Sequence, residues 1–242
     1  MAWGSESSAQ VPLLRGGLAV YDDDKKGTQP RLIVFQYNPE QIRRTLANRT
    51  ATPPARGGTP PREEVRRVSG PPVETVNLTI LLNATDQMIL KRQSPPEEKI
   101  GLHRVLALLE MLLYPKKSRL LENLRIAEEG RAAVETEKVP LVLLIWGRNR
   151  VVPVAVTSFT VTEEFFDERL NPVRAKIDLG LRVLTFMELP KDTEGFDAYL
   201  AYQTIKEGLA DNATTGPTGE LSEQIREARE GRQQVLAERG LA

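Results

Sequence analysis

The sequence predicts an α+β protein dominated by β-structure: an antiparallel barrel or sandwich, one helix packed on it, and a C-terminal helical extension. Residues 141–187 form the pattern of three consecutive strands, a β-meander. Residues 100–114 carry an apolar stripe so wide that the helix is expected to pack on a sheet or against a neighbour. After residue 190 the composition changes to short helical segments and a linker.

The last strand of the meander gives the strongest periodic signal. The three strands are 141–146, 151–162 and 173–187, with a turn at 147–149 and a longer connection at 163–172. Strict alternation in the third strand predicts one face in the core and one face in water. The apolar face consists of Val173, Ala175, Ile177, Leu179, Leu181 and Val183. The polar face consists of Arg174, Lys176, Asp178 and Arg182.

The N-terminal half predicts an extended arm over residues 1–15 and then the start of a β-domain that spans 16–190. Residues 41–48 fit a strand or a helix. Residues 50–72 are rich in Pro and Gly, and such a long loop is either a mobile insertion or an arm that orders against another subunit. The other predicted strands are 18–21, 31–37 and 76–82.

A helical insertion is predicted at residues 95–135. Ser94 and Glu97 have capping-box spacing, and Pro95 occupies the first helical position. The helix body, 100–114, ends at Pro115, and a more charged helical segment follows at 118–135. The apolar stripe consists of Val105, Leu109 and Leu112, widened by Leu102, Leu106, Leu108 and Leu113.

The C-terminal extension, 191–242, predicts a short helix at 196–209, a linker at 211–219 and a charged helix at 220–239. The apolar stripe of the last helix is too thin to stabilise it alone, so this helix either docks on a partner or frays. Its candidate docking residues are Leu221, Ile225, Ala228, Val235 and Leu236.

Composition excludes several classes of protein. Lys+Arg and Asp+Glu both number 33, so the chain lacks the basic excess of a general nucleic-acid binder. There is no cysteine, hence no disulfide framework and no thiolate ligand or nucleophile. No apolar run is long enough for a transmembrane helix, and the first residues do not form a signal peptide. We therefore expect neither nucleic-acid binding nor direct membrane insertion.

Catalytic and cofactor motifs are not evident. The one histidine, His103, lies on the apolar helix without a second His or Cys to complete a metal site. No nucleotide-binding, zinc-protease or serine-hydrolase motif is present. Four carboxylates in the connection, Glu163, Glu164, Asp167 and Glu168, read as a solvated loop. We assign no catalytic, cofactor or metal residue, and three classes remain: a ring subunit, a ligand-binding barrel and a soluble carboxylate-dependent hydrolase.

Five motifs in order resemble the baseplate adaptor proteins associated with the tube of contractile injection systems, the phage-tail-like particles of bacteria. The resemblance covers about residues 15–190. The motifs are VFQYNPEQI, PPVETVNLTILLNATD, IGLHRVLALLEMLLYP, LVLLIWG and FDERLNPVRAKIDLGLRVL. Many relatives continue into a LysM module; residues 191–242 do not resemble one, so no glycan-binding role is expected.

The resemblance implies a non-enzymatic structural role and a fold of the tail-tube type. It implies a six-fold ring of copies that joins the central spike to the inner tube and templates tube assembly, with spike, inner-tube and baseplate proteins as partners. An inner-tube or other baseplate subunit of the same particle is the alternative. Arg174, Lys176, Asp178 and Arg182 would then face the lumen or the next ring, or only solvent. Assembly is expected in the cytoplasm, within a particle that is either retained or released.

Overall fold

The computed structural model describes residues 14–49, 68–85, 101–128, 139–213, 223–230 and 233. The chain divides into two compact units, Met1–Gln203 and Thr204–Ala242, and the first unit holds the sheet and its core. The described strands are β1 Gly17–Tyr21, β2 Arg31–Val34, β3 Ile42–Ala47, β4 Val73–Asn83, β5 Leu141–Ile145, β6 Val151–Phe166 and β7 Pro172–Val183. The described helices are α1 His103–Glu110, α2 Lys117–Glu128 and α3 Glu194–Asp211, and residues 223–230 are also helical.

The strands form one sheet in the order β2-β1-β5-β6-β7-β4-β3, with each pair of neighbours antiparallel. The predicted sheet-dominated α+β class and the β5–β6–β7 meander are therefore confirmed. Residues 41–48, which fitted either a strand or a helix, contain strand β3. Within the described residues, no helix is both long and apolar enough to span a bilayer.

The predicted closure into a barrel or sandwich is wrong for the single chain. The end strands β2 and β3 each pair with one neighbour only in the described sheet. The connector 35–41 joins these two end strands directly, and so short a segment reaches at most about 28 Å. A flat sheet of this width would separate them by about the same distance. Since the connector is also bent, the sheet must curve so that its two edges approach.

Gln36 holds the connector against the end of β4. Its side-chain amide donates to the carbonyl oxygen of Asn83 at 2.8 Å, and its side-chain oxygen accepts the Asn83 N–H at 2.9 Å. The connector thus satisfies the backbone groups at the end of β4 with a side chain instead of with an additional strand. The two short end strands, of four and six residues, are left as free edges.

The core lies between one face of the sheet and α1. Leu78, Ile177, Leu179 and Leu181 are all below 5 % exposed. From α1 and its flanks, Leu102, Leu106, Leu109 and Leu112 are buried at helical spacing. Leu113, predicted to widen the stripe, is instead 39 % exposed because α1 ends at Glu110 and the following residues form turns. The predicted cap at 94–97 lies outside the described residues.

β1 and β5 are buried on both faces, which explains their unbroken apolar sequences. A second cluster, on the face away from the main core, contains Ala19, Tyr21, Leu141 and Leu143. Leu184, Leu189 and Ala198 of the chain after β7 pack against this cluster. Strands covered on both sides lose the alternation of a half-exposed strand.

A β-bulge at Thr157 resets the alternation of β6. Val156 pairs with Leu181 and Ser158 pairs with Gly180, so Thr157 is the extra residue. Before the bulge the even-numbered Val152 and Val154 face the core; after it the odd-numbered Phe159 and Val161 pack against the core. The change of phase keeps apolar residues on one face along the full length of the strand.

A nearly buried ion pair lies at the end of the core beside α3. Arg44 Nη2 lies 2.6 Å from Glu74 Oε1, and the Glu74 side chain is only 6 % exposed. Tyr202 donates its hydroxyl to the same carboxylate at 3.2 Å. Burial and then the Glu74 charge raise the pKa of Tyr199. The carboxylate is thus neutralised and hydrogen-bonded, as a group so deeply buried must be.

Strands β6, β7 and β2 end several residues away from their predicted ends. β6 continues to Phe166, so Glu163 and Glu164 belong to a strand and their assignment to a loop is wrong. β7 ends at Val183 because Thr185 and Glu188 close a turn, in which the Thr185 N–H donates to Glu188 Oε2 at 3.1 Å. β2 ends at Val34, where the bent connector begins.

Replacing Leu179 by Asp should lower the free energy of unfolding by about 3 kcal/mol or more, because the change removes a buried side chain and buries a carboxylate. Leu179 is 2 % exposed. The matched control is Leu81→Asp on β4. Leu81 lies on the face of the sheet opposite to that of Leu179, and it is 44 % exposed. Urea denaturation followed by circular dichroism measures both. Equal effects of the two substitutions would show that the face assignment is wrong.

Candidate functional site: the polar face of the long strands

The register of β4, β7 and β6 brings polar side chains together in rows across one face of the sheet. Thr79, Asp178 and Thr160 lie side by side, as do Asn77, Gly180 and Ser158. Because every second residue of β7 points to this face, Arg174, Lys176, Asp178 and Arg182 all lie on it. The structure thus places the four polar residues of β7 on one surface, opposite the core.

A shallow open depression of about 270 Å³ lies at the centre of this face. Gly180 is at its floor, and a Cβ atom there would overlap Ser158 Oγ and approach Asn77 Oδ1 to 3.2 Å. Glycine thus leaves room for the Ser158 hydroxyl beside the Thr157 bulge, and a larger residue would require that side chain to move. Around it the lining is mostly polar, including Arg43, Asn77, Ser158, Thr160 and Asp178.

The charged residues of this face are held by partners in the same chain. Thr79 Oγ1 donates to Asp178 Oδ1 at 2.6 Å, and Lys176 Nζ lies 3.8 Å from Asp178 Oδ2. The guanidinium carbon of Arg174 lies 5.9 Å from the ring centroid of Phe165. These contacts orient the side chains and leave the face with a mixed, moderately basic charge.

Arg182 lies at the other end of the strand and pairs with Glu188. Arg182 Nη1 is 2.5 Å from Glu188 Oε1, and Thr185 donates both its N–H and its hydroxyl to Glu188 Oε2. Partial burial acts to raise the pKa of Glu188, but the hydrogen bonds from Arg182 and Thr185 outweigh it and hold this pKa below its usual value. The ionised carboxylate therefore stabilises the turn after β7.

We find no candidate metal site among the described residues. They contain no group of three or more His, Cys, Asp or Glu side chains arranged to hold a metal ion. His103 is exposed on α1. Asp167 accepts hydrogen bonds from Asn171 and Arg169 that shape the β6–β7 turn. These contacts, the Asn171 side chain first, keep the pKa of Asp167 below its usual value.

The predicted docking helix is described only in part. Residues 223–230 are helical, and both Ile225 and Ala228 are exposed on them. Leu221, Val235 and Leu236 lie outside the described residues. Sequence reasoning missed a different apolar surface, the tip of the β6–β7 hairpin, where Phe165, Phe166 and Leu170 are exposed. The signal available was a pair of phenylalanines set among four carboxylates in a segment interpreted as a loop.

Replacing Glu188 by Gln should lower the free energy of unfolding at pH 7 by about 1 kcal/mol, since it removes charge-assisted hydrogen bonds. Because the folded-state pKa is depressed, this contribution is present above the unfolded-state value and lost as the pH falls through the folded-state pKa. The difference between wild type and variant should therefore shrink below about pH 4.5. Urea titrations from pH 7 to pH 3 measure it. Glu40→Gln, at an exposed position, is the control; a Glu188 difference constant with pH contradicts the assignment.

Comparison with known proteins identifies the family of this chain. The family model described as contractile injection system tube protein matches residues 17–185, which is most of the chain and contains all seven strands of the sheet. No curated protein matches the chain. The match spans the strands, the core helix and the polar face together. The chain therefore belongs to the contractile injection system tube protein family, and it is a structural subunit of such a phage-tail-like particle.

Proposed function

We propose that this protein is the adaptor ring of its particle, which joins the central spike to the inner tube and templates tube assembly. The observation that carries the proposal is the part of the chain after the family match. The match ends at residue 185, whereas the described chain continues through α3 and the helical residues 223–230. A subunit that repeats along a tube meets copies of itself on both sides. An adaptor meets a different protein on one side and needs additional contact elements.

The open sheet supports the proposed ring. In the described chain the edge strand β2 exposes Leu32 and Val34, at 63 % and 58 %. A free edge that carries apolar side chains is a hazard in a lone subunit, and copies arranged in a closed ring cover it. We infer a homo-oligomeric, hexameric ring; the six-fold number comes from the resemblance to tube-associated adaptors.

The polar face then has a place in the ring. We propose that Arg174, Lys176, Asp178 and Arg182 face the lumen or the next ring. Their ion pairs and hydrogen bonds within the chain support this, because side chains already paired are suited to a wet surface. The C-terminal helix, with Leu221, Ile225, Ala228, Val235 and Leu236, is proposed to dock on a spike or baseplate component.

The alternative is an inner-tube or other baseplate subunit of the same particle. The description of the matching family as a tube protein favours it. Copy number separates the two roles. An adaptor is present at one ring's complement per particle whatever the particle length, whereas an inner-tube subunit increases in proportion to length.

The ring is tested by mass photometry of the purified chain at micromolar concentration, combined with quantitative mass spectrometry of isolated particles. We expect a closed oligomer in the first measurement and a length-independent copy number in the second. Only monomer in mass photometry, together with a single copy of the chain per isolated particle, would contradict the ring. A copy number that rises with particle length would assign the chain to the inner tube.

Deletion of residues 219–242 should leave the sheet domain folded and impair incorporation into particles. The reason is that the core is built from residues before this segment, whereas residues 223–230 expose Ile225. Circular dichroism melting and immunoblotting of purified particles measure the two effects. The four-residue substitution Leu221→Ala, Ile225→Ala, Val235→Ala and Leu236→Ala is the matched control for loss of the apolar stripe alone. Wild-type incorporation of the truncated chain would show that the helix is dispensable.

A further inference from the structure

The turn of the long β6–β7 hairpin carries an exposed apolar surface, which we call the tip: Phe165, Phe166 and Leu170. Their exposed fractions are 68 %, 52 % and 78 %. Three large apolar side chains within six residues is an unusual exposure for a single turn. The tip lies beyond the part of the hairpin that packs on the core.

The turn presents these side chains in a defined conformation. Asp167 Oδ1 accepts the N–H groups of Arg169 and Asn171 at 2.8 and 2.9 Å, and Asp167 Oδ2 accepts Asn171 Nδ2 at 2.8 Å. Phe165 and Leu170 have φ values of 54° and 62°, which bulky residues rarely adopt. Strained backbone at non-glycine residues persists where the surroundings hold it in place, and it clusters at functional sites.

The end of β7 next to the tip is also anchored to the start of α1. The Leu102 N–H donates to the carbonyl oxygen of Pro172 at 3.0 Å. Gly101 lies so close to this carbonyl that an added Cβ would be 2.6 Å from the oxygen. The tip is therefore a pre-formed surface, and binding there costs little ordering entropy.

A second apolar surface lies on the α1–α2 segment and is defined by Leu113, Tyr114, Leu120, Leu121 and Leu124. Their exposed fractions are 39 %, 61 %, 46 %, 54 % and 59 %. We call it the helical surface. Leu120, Leu121 and Leu124 share one side of α2 at helical spacing, as expected for a helix that contacts another surface.

The start of α2 lies well away from the tip of the same chain along the sheet. Lys116, which precedes α2, pairs with Asp22 at the end of β1 at a distance of 3.0 Å. Through β5, Val20 of β1 is level with Val154 of β6, so Asp22 is level with Val156, ten residues before Phe166. Along a strand that distance is about 33 Å, and α2 is about 18 Å long.

The charges around the two surfaces are complementary. Residues 163–171 contain four carboxylates and one arginine, and with Arg174, which lies over the Phe165 ring, the formal net charge around the tip is −2. Residues 111–125 contain four basic side chains and one carboxylate, and with Asp22, which pairs with Lys116, the formal net charge there is +2. In the described chain, Glu163, Glu164 and Glu168 have no basic partner, and Lys117 has no acidic one. Opposite potentials of this kind steer two surfaces together and fix their orientation.

We propose that the tip of one copy packs on the helical surface of a second copy. This contact is heterologous, because each chain contributes a different surface, and contacts of that type generate closed rings or continuing stacks. The inference rests on the proposed self-assembly of the chain and specifies which two surfaces make the contact.

The test uses the absence of cysteine in the chain. Full-length Leu170→Cys and Leu121→Cys chains, distinguished by a small mass tag, are mixed under assembly conditions and treated with a short bis-maleimide. We expect the mixed product to exceed either homodimer. The matched control mixes Leu121→Cys with Val139→Cys, which introduces the thiol at a position 52 % exposed and away from the tip. A mixed product no greater than that of the control overturns the proposal.

A second variant keeps the test independent of cross-linking. Leu170→Asn should retain or slightly raise the melting temperature, because Asn tolerates positive φ. It should raise the dissociation constant for self-association, measured by sedimentation velocity, by about tenfold or more if Leu170 is a central contact. Val139→Asn is the control. If the rings persist in mass photometry and neither cross-linking nor association responds, the tip contact fails and the proposed ring stands; if the wild-type chain does not associate, both fail.

Discussion

The antiparallel ladder that joins β6, β7 and β4 is the constraint on which the rest of the structure depends. β7 pairs with β4 over nine residues and with β6 over nearly its whole length. In such a ladder a shift of one residue would exchange the two faces of every strand. Ile177, Leu179 and Leu181 would then face water, and Asp178 and Arg182 would face α1. The burial of the first three therefore holds the register, and the register assembles the polar face.

Two local devices make this ladder compatible with the sequence. The extra residue Thr157 changes the phase of β6, so that Val154 and Phe159 can both serve the core. Gly180 removes a side chain where Ser158 and Asn77 approach from the flanking strands. Bulges bend the strand and increase its twist, which agrees with a sheet curved enough for a short connector to join its ends. The curvature brings the edges near each other without pairing them, and free edges suit a subunit whose sheet is covered by neighbouring copies.

The family is one of structural tube proteins, so the exposed surfaces of the chain bear directly on its role. The charged side chains of the polar face have partners within the chain, among them Thr79, Glu188 and the Phe165 ring. The apolar edge residues of β2, the tip and the helical surface are exposed in the part of the chain that the structure describes. The first kind of surface is suited to water. Exposing the second kind to water is unfavourable, and covering it with another subunit would lower the free energy of the system. This difference separates the surfaces proposed for the lumen from those proposed for contacts between copies.

The sequence alone determined the strand faces, the sheet-dominated class and the core of α1, because these depend on periodicity that each segment carries by itself. Alternation identified Arg174, Lys176, Asp178 and Arg182 as one polar face, and helical spacing identified Leu102, Leu106 and Leu109 as buried. Order and chemistry of five motifs indicated the particle. Whether the sheet closes was decided only by tertiary structure, since the placement of its end strands depends on contacts across the fold, of which that of Gln36 with Asn83 is one. Glu163 and Glu164 became strand residues, and Phe165 and Leu170 an exposed tip, because the Asp167 turn sets the end of β6. Such contacts join residues whose proximity no local pattern records.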